Sequence, residues 1–324
     1  MAAPFIAGTR NAERGLAEGR RILEAGGSAP DAVEAAIRVS EDDAMDWTVG
    51  YDGLPNLLGD VELDASIMLG SSRKAGAVAG VRTVRNPITL ARRVMEESPH
   101  VLLVGEGADR FARAVGMGSE SLQSEAGRRR YENIMAGREL LEGLGRVPEE
   151  MSVLAWRYGP YLKRQMRQFD AKGWYARIGK TWHGTVDVIA GDRRRELCCG
   201  VSTSGLALKL PGRAGDTPVI GAGNYADARY GAAACVGQGE LAIRICAARQ
   251  AVDLLADGRS PRQAAAAVIR DALRVDRRAI LQVLVADPAG RVAAAASQRD
   301  LHTVFWRQGM ADVERRPSQR IRAR

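Results

Sequence analysis

Residues 182–190, Trp-His-Gly-Thr-Val-Asp-Val-Ile-Ala, constrain the fold of this chain more than any other stretch. A small, flexible residue, Gly184, precedes a hydroxyl, Thr185, which opens a β-branched run of Val186, Val188 and Ile189; such a run reads as a strand entering a core. After a polar break at 191–196 come Val201-Ser-Thr-Ser-Gly205 and then Gly212-Arg-Ala-Gly-Asp-Thr-Pro218, the latter too rich in Gly and Pro for regular structure. Hydroxyls, an arginine and an aspartate thus fall in loops beside an expected strand. Taken singly, each reads as part of a hydroxyl-capped strand followed by turns. Together they make a candidate site, with Thr185 as its working residue.

Around that stretch the hydrophobic period alternates between helix and strand. Residues 5–7 read as a short strand and 11–25 as a helix stopped by Gly26-Gly27. A second helix starts at an Ser28 cap, with Pro30 in its first turn and Asp31 placed to complete a capping box, and runs to Glu41-Asp42-Asp43. Residues 48–50, 61–68 and 77–84 read as strands of a meander, 88–97 as helix, 101–104 as a buried strand and 108–115 as helix. Residues 119–181 turn polar and charged, and read as helical or irregular surface structure bridging two halves. Beyond them, strands are expected at 185–190, 196–202 and 230–236, helices at 240–256 and 260–275, and strands at 281–286, 292–296 and 303–306. No internal repeat is visible. Strand blocks alternating with helix pairs point to two packed sheets with helices outside. A strand, Gly105-Glu-Gly107 and a helix follow the order of a dinucleotide loop, but Arg110 stands where close helix packing requires Gly or Ala.

Composition narrows the function classes. With 324 residues, 46% of them hydrophobic, the chain can bury a sizeable core. No apolar run reaches the roughly 18 residues of a membrane helix, and the first ten residues lack a signal-peptide core, so a cytoplasmic protein is expected. The formal charge of +8 raises nucleic-acid binding, yet the excess lies largely in Arg193 to Arg195 and in a tail of Arg315, Arg316, Arg320, Arg322 and Arg324. Neither interleaves aromatics, which make up only 5% of the chain, so solvated charge is the expected role. Cys198, Cys199, Cys235 and Cys246 lack C-x-x-C spacing and read as reduced and mostly buried; no metal or other cofactor is expected.

A Ser-His-Asp enzyme needs a histidine base beside its nucleophile, and this chain has only His100, His183 and His302. His183 stands two residues from Thr185, where strand geometry makes the contact awkward. A threonine hydroxyl can instead be activated by its own α-amine when it is the first residue of a chain. That requires a break between Gly184 and Thr185.

The motifs now carry a resemblance. Gly26-Gly-Ser-Ala-Pro-Asp-Ala-Val-Glu34, Ser40-Glu-Asp-Asp43, Val49-Gly-Tyr51, Leu63-Asp-Ala65, Asn86-Pro-Ile88, Ala91-Arg-Arg-Val-Met95 and Leu102-Leu-Val-Gly105 match in the first half. In the second half the matching pieces are His183-Gly-Thr185, Ser202-Thr-Ser-Gly205, Gly212-Arg-Ala-Gly-Asp-Thr-Pro218, Ile220-Gly-Ala-Gly223 and Gly237-Gln-Gly-Glu240. The chain resembles the glycosylasparaginase and plant-type asparaginase (isoaspartyl peptidase) family of N-terminal nucleophile hydrolases, with wording that leans toward glycosylasparaginase. The resemblance implies one α/β domain, a four-layer αββα sandwich, self-cleavage into 1–184 and 185–324, a homodimer of the cleaved units and hydrolysis of small aspartyl or asparaginyl amides. Isoaspartyl peptidase or asparaginase activity, and a non-catalytic homologue that never cleaves, are the alternatives.

Carried over by motif, Thr185 is the nucleophile and, through its freed amine, the base. Thr203 orients it, Arg213 grips the substrate α-carboxylate and Asp216 takes the α-ammonium. Gly237 gives a backbone N–H to the oxyanion, Thr48 matches a hydroxyl near the nucleophile, and Arg10 lies in a segment that helps form the substrate site. Four positions depart from the family pattern. Val236 replaces a hydroxyl residue of the oxyanion hole. Gly184 and Asp187 replace the Asp before the nucleophile and the Gly two residues after it, and a charged Asp187 would raise the amine's pKa or contact a cationic substrate. Arg10 replaces an aromatic, which disfavours sugar-linked substrates.

Overall fold

The computed structural model describes residues 3–136, 138, 184–298 and 301–323. Within them two sheets form. The larger has eight strands in the order β12-β11-β1-β5-β6-β2-β3-β4 and the smaller five in the order β13-β10-β9-β8-β7. In chain order the strands are β1 (Phe5–Thr9), β2 (Leu63–Leu69), β3 (Ala75–Val81), β4 (Leu102–Val104), β5 (Val186–Gly191), β6 (Leu197–Thr203) and β7 (Asn224–Asp227). They continue with β8 (Gly231–Gly237), β9 (Leu281–Ala286), β10 (Val292–Ala296), β11 (His302–Arg307), β12 (Glu314–Pro317) and β13 (Gln319–Arg320). The helices are α1 (Leu16–Glu24), α2 (Ala29–Glu41), α3 (Pro87–Glu97), α4 (Gly105–Ala114), α5 (Glu125–Met135), α6 (Gly239–Ile245), α7 (Ala247–Ala256) and α8 (Pro261–Val275).

Strand alternation sorts most of the buried side chains of the described strands into three clusters. Ile6, Ile67, Val78, Val186 and Val188 face α2 and α3 through Val33, Ile37 and Ile88. Their neighbours Phe5, Ala7, Met68, Ile189 and Val201 face the other sheet, where Ala232, Ala234, Leu284 and Ala286 meet them. Ala233, Cys235, Val283 and Val285 then point away again, onto Ala248, Val252, Val268 and Ile269 of α7 and α8. The alanines of the smaller sheet let those helices sit close to its backbone.

The caps follow the sequence closely. Ser28 accepts from the Asp31 amide, and Ser260 with Gln263 forms a complete capping box. Other expectations are corrected. Residues 48–50 are a turn: Gly50 has φ 67°, and a Cβ there would lie 2.1 Å from the Glu41 carbonyl oxygen. The partners of β2 are therefore β3 and β6, and no three-strand meander forms. The helix expected at 240–256 breaks at Cys246, which adopts φ 49° between α6 and α7. The helix expected at 11–25 begins only at Leu16, after a single 3-10 turn at Arg10–Ala12. The basic tail keeps Arg315, Arg320 and Arg322 exposed, as expected of solvated charge, and also supplies β12 and β13, with Arg315 and Glu13 paired. Of the four cysteines, Cys246 is exposed and the other three are buried. At Gly105 the helix α4 starts at once, leaving no glycine loop after β4. The stretch expected to bridge the halves lies mostly outside the described residues, as do Trp182 and His183; its described part contains α5. No helix among the described residues is long and apolar enough to cross a membrane.

Candidate active site

Strand β5 runs between β1 and β6, and Thr185 precedes its first residue. The last residue of β1 fixes this end: the Thr9 hydroxyl donates to the Thr185 carbonyl at 3.4 Å and accepts from the Asp187 amide at 3.1 Å. The last residue of β6 supplies the other clamp. The buried Thr203 hydroxyl donates to the Gly184 carbonyl at 2.6 Å, accepts from the Gly205 amide at 3.0 Å, and stands 3.5 Å from the Thr185 hydroxyl, which donates toward it. Thr203 thus touches both the hydroxyl and the peptide carbonyl of the Gly184–Thr185 unit.

Thr48 packs on the other side of Gly184, where a Cβ would fall 1.5 Å from the Thr48 Cβ. The turn at 46–48 holds Thr48 in place. Its hydroxyl donates to Asp46 at 2.5 Å, its amide donates to the same carboxylate at 3.1 Å, and its carbonyl accepts from the Ser204 amide and hydroxyl. Asn11 closes the group by donating to both Asp46 and Thr48 at 3.1 Å. Asn11 belongs to a segment already singled out in the sequence, whereas Asp46 was missed; an acid two residues before a hydroxyl, the signature of a side-chain-capped turn, could have found it.

A cavity of about 710 Å³ opens over these groups, lined by Thr185, Thr48, Asp46, Asn11, Arg10, Val236 and Gly237 among others. At Gly237, with φ 137°, a Cβ would lie 2.3 Å from the Ile280 carbonyl oxygen, so only glycine fits this part of the wall. Val236 presents an apolar surface beside it.

Arg213 and Asp216 do not line the cavity. Their loop adjoins the site through Gly205, where a Cβ would lie 3.3 Å from an Arg213 Nη1. Arg213 is engaged by Glu240, with Nε and Nη2 at 2.9 and 2.8 Å from one carboxylate oxygen. Asp216 is buried against Gly239, and burial raises its carboxyl to about 7 although Arg213 nearby pulls it down. Lys209, fully buried, fills the floor beneath Gly205 and donates to the Glu62 carbonyl at 3.0 Å.

Asp187 corrects an expectation. Strand alternation turns its side chain into the core between the sheets, where it is fully buried and neither carboxylate oxygen has a hydrogen-bond partner. Burial, with Asp216 adding repulsion, pushes its pKa well above the usual carboxylate range. Burial thus disfavours its charged form, and it lines no part of the cavity, so it offers no contact to a cationic substrate there. Among the described residues, no group of three or more His, Cys, Asp or Glu side chains could hold a metal ion.

Comparison with known proteins gives the family. The family profile described as Asparaginase matches residues 6–313. The plant-type L-asparaginase of Pyrococcus furiosus is 37% identical over 89% of this chain and 86% of its own length. The isoaspartyl peptidase/L-asparaginase of Mus musculus is 38% identical over 78% of this chain and 68% of its own. The N(4)-(beta-N-acetylglucosaminyl)-L-asparaginase of Rattus norvegicus is 33% identical over 87% and 81%. The resemblance carried by the motifs is borne out over nearly the whole length: this chain belongs to the asparaginase family.

Proposed function

We propose that this protein is an N-terminal threonine amidohydrolase that cuts itself before Thr185 and then hydrolyses the side-chain amide of aspartate or asparagine derivatives. The observation that carries the reading is the Thr203 hydroxyl, held between the Thr185 hydroxyl and the Gly184 carbonyl oxygen. In self-cleavage the Thr185 oxygen attacks the Gly184 carbonyl carbon. Its proton passes to the Thr203 oxygen, while Thr203 gives its own proton to the Gly184 oxygen. When the carbon–nitrogen bond breaks, the nitrogen takes a proton and an ester remains; water hydrolyses it, leaving a Gly184 carboxylate and a Thr185 with free amine and free hydroxyl. Such a relay needs no carboxylate at position 184, where this chain has glycine.

In turnover the freed amine accepts the hydroxyl proton as Thr185 attacks the substrate amide, and delivers it to the departing nitrogen; water then hydrolyses the ester left on Thr185, releasing the carboxylic acid and restoring the hydroxyl. Gly237 offers a backbone N–H to the oxyanion. Arg213 grips the α-carboxylate once Glu240 yields part of its guanidinium, and Asp216 takes the α-ammonium. The three-cluster packing supports a four-layer αββα sandwich for the whole. Relatives named for both branches are similar to the chain; under this reading the glycosylasparaginase-like and the asparaginase or isoaspartyl activities differ in the leaving group alone.

Incubating purified protein and analysing it by denaturing gel and intact mass tests the reading: two fragments divided at 184/185 are expected, with Thr185→Ala uncut. Val236 favours the second reading, a binding homologue without turnover, because the oxyanion hole lacks its hydroxyl. A wild-type chain that stays whole and hydrolyses no L-asparagine would establish it.

A further inference from the structure

Arg213 leaves a tight turn. Its amide donates to the Leu210 carbonyl at 2.9 Å, Pro211 holds the second position and Gly212 the third with φ 80°, the pattern of a type II turn. The Gly212 amide donates out of that turn, to the two oxygens of the Glu62 carboxylate at 3.2 and 3.1 Å. Glu62 is itself buried, and Arg82 Nη2 donates to its Oε1 at 2.5 Å. The Glu62 carbonyl accepts from Lys209 Nζ at 3.0 Å, so the loop is tied to this one residue at Lys209 and again at Gly212. Glu62 directly precedes β2, in which Asp64 lies opposite Thr203 of β6. The turn that carries Arg213 is therefore referenced to the same sheet as the clamp on Thr185. Beyond the turn, Glu240 holds Nε and Nη2, and Nη1 lies by Gly205 and Gly215.

From this double tie we infer that Glu62 is a positioning residue: it sets the place of the Arg213 guanidinium relative to the nucleophile, and through it the enzyme's demand for a free α-carboxylate on the substrate. The inference rests on the amidohydrolase reading above, in which Arg213 grips that carboxylate. Glu62 does not line the cavity and acts only through the turn. A carboxylate holds a backbone N–H more strongly than a neutral acceptor does, and a guanidinium matches a carboxylate only when its fork is correctly aimed. A shift of the turn would leave the hydroxyl clamp in place while misaligning the fork, so the cost falls on substrates that carry the carboxylate and spares those that lack it.

The test compares L-asparagine with L-asparaginamide, whose α-carboxyl is a neutral amide, following hydrolysis of the side-chain amide. Wild type, Glu62→Gln, Glu62→Leu, Arg213→Met and the double variant Glu62→Leu/Arg213→Met are used. In wild type the ratio of kcat/KM for the acid over the amide is expected to be on the order of tenfold or more. Glu62→Leu brings it close to the Arg213→Met value, chiefly through KM for L-asparagine, and Glu62→Gln, which keeps one acceptor oxygen, falls between. In the Arg213→Met background, Glu62→Leu lowers the ratio no further, because both changes remove the same grip. Each ratio is internal to one preparation, so incomplete self-cleavage cancels. A Glu62→Leu ratio equal to that of wild type, or a full further loss in the double variant, overturns the role of Glu62 while L-asparagine turnover leaves the amidohydrolase reading standing. Uncut wild type inert toward both substrates overturns both. Should Glu62→Leu not fold, Glu62→Gln decides: an intermediate ratio supports the role and an unchanged one overturns it.

Discussion

Gly184 is the most restrictive position of the candidate site, since the Thr48 side chain occupies the space a Cβ would need. Gly184→Ala is expected to remain a single band on a denaturing gel, and removing the obstruction in Gly184→Ala/Thr48→Gly to restore fragments. Thr203 makes a separate prediction. Thr203→Val should slow self-cleavage on the order of 10²- to 10³-fold, as loss of one preorganised donor does, while Thr203→Ser retains it; time courses by intact mass separate the two. At Val236, a half-buried wall residue, Val236→Thr supplies a hydroxyl and should raise kcat by on the order of tenfold. Asp216 bears on pH: it must be charged to hold an ammonium, and its carboxyl is raised to about 7, so kcat/KM for a substrate with a free α-amine should climb as pH rises through that value. Sequence reading singled out Thr185, Thr203 and Gly237 through their motifs and Thr48 through the resemblance alone, and the structure sets Thr203 and Thr48 against Gly184. It misjudged Asp187 because charge was considered without the strand phase that buries it.

Among the elements, α2 ends in a residue that links two others. The Glu41 carboxylate accepts from the Ser202 hydroxyl of β6 at 2.6 Å and from the Ile88 amide in the first turn of α3 at 3.0 Å. Burial nevertheless pushes its pKa to about 8, from an ordinary 4.5. An acid with a raised folded pKa binds more protons when native, so its stabilisation is complete below about pH 4.5 and is lost as pH rises toward 8. Glu41→Gln keeps an acceptor and removes the titration; calorimetry should find a shallower fall of Tm across that window. Cys246, exposed and left-handed between α6 and α7, costs strain that glycine avoids, and Cys246→Gly should stabilise by roughly 0.5–1 kcal/mol. Periodicity found most helices and strands because their buried faces repeat cleanly. It failed at 48–50, where two β-branched residues sit in a turn held by Asp46, and at β7, β12 and β13, which are short and in part charged. Their pairing depends on neighbours remote in the chain.

On the scale of the whole molecule, the proposed break at 184 does not divide the structure. In the larger sheet β1 has β11 on one side and β5 on the other, while β6 of the second fragment pairs with β2 of the first. Gel filtration of cleaved protein should therefore give one species that separates only in denaturant. The class of fold was legible from blocks of strand and helix, but strand order was not, because a strand pattern records which face is buried and not which strand lies beside it. That interleaving has a kinetic consequence. Before the cut, refolding is a first-order search within one chain; after it, the same sheet must be rebuilt from two molecules, and the rate depends on their concentration. The first folding event would then be the only one assisted by a tether, and dilution would turn every later unfolding into a near-permanent loss.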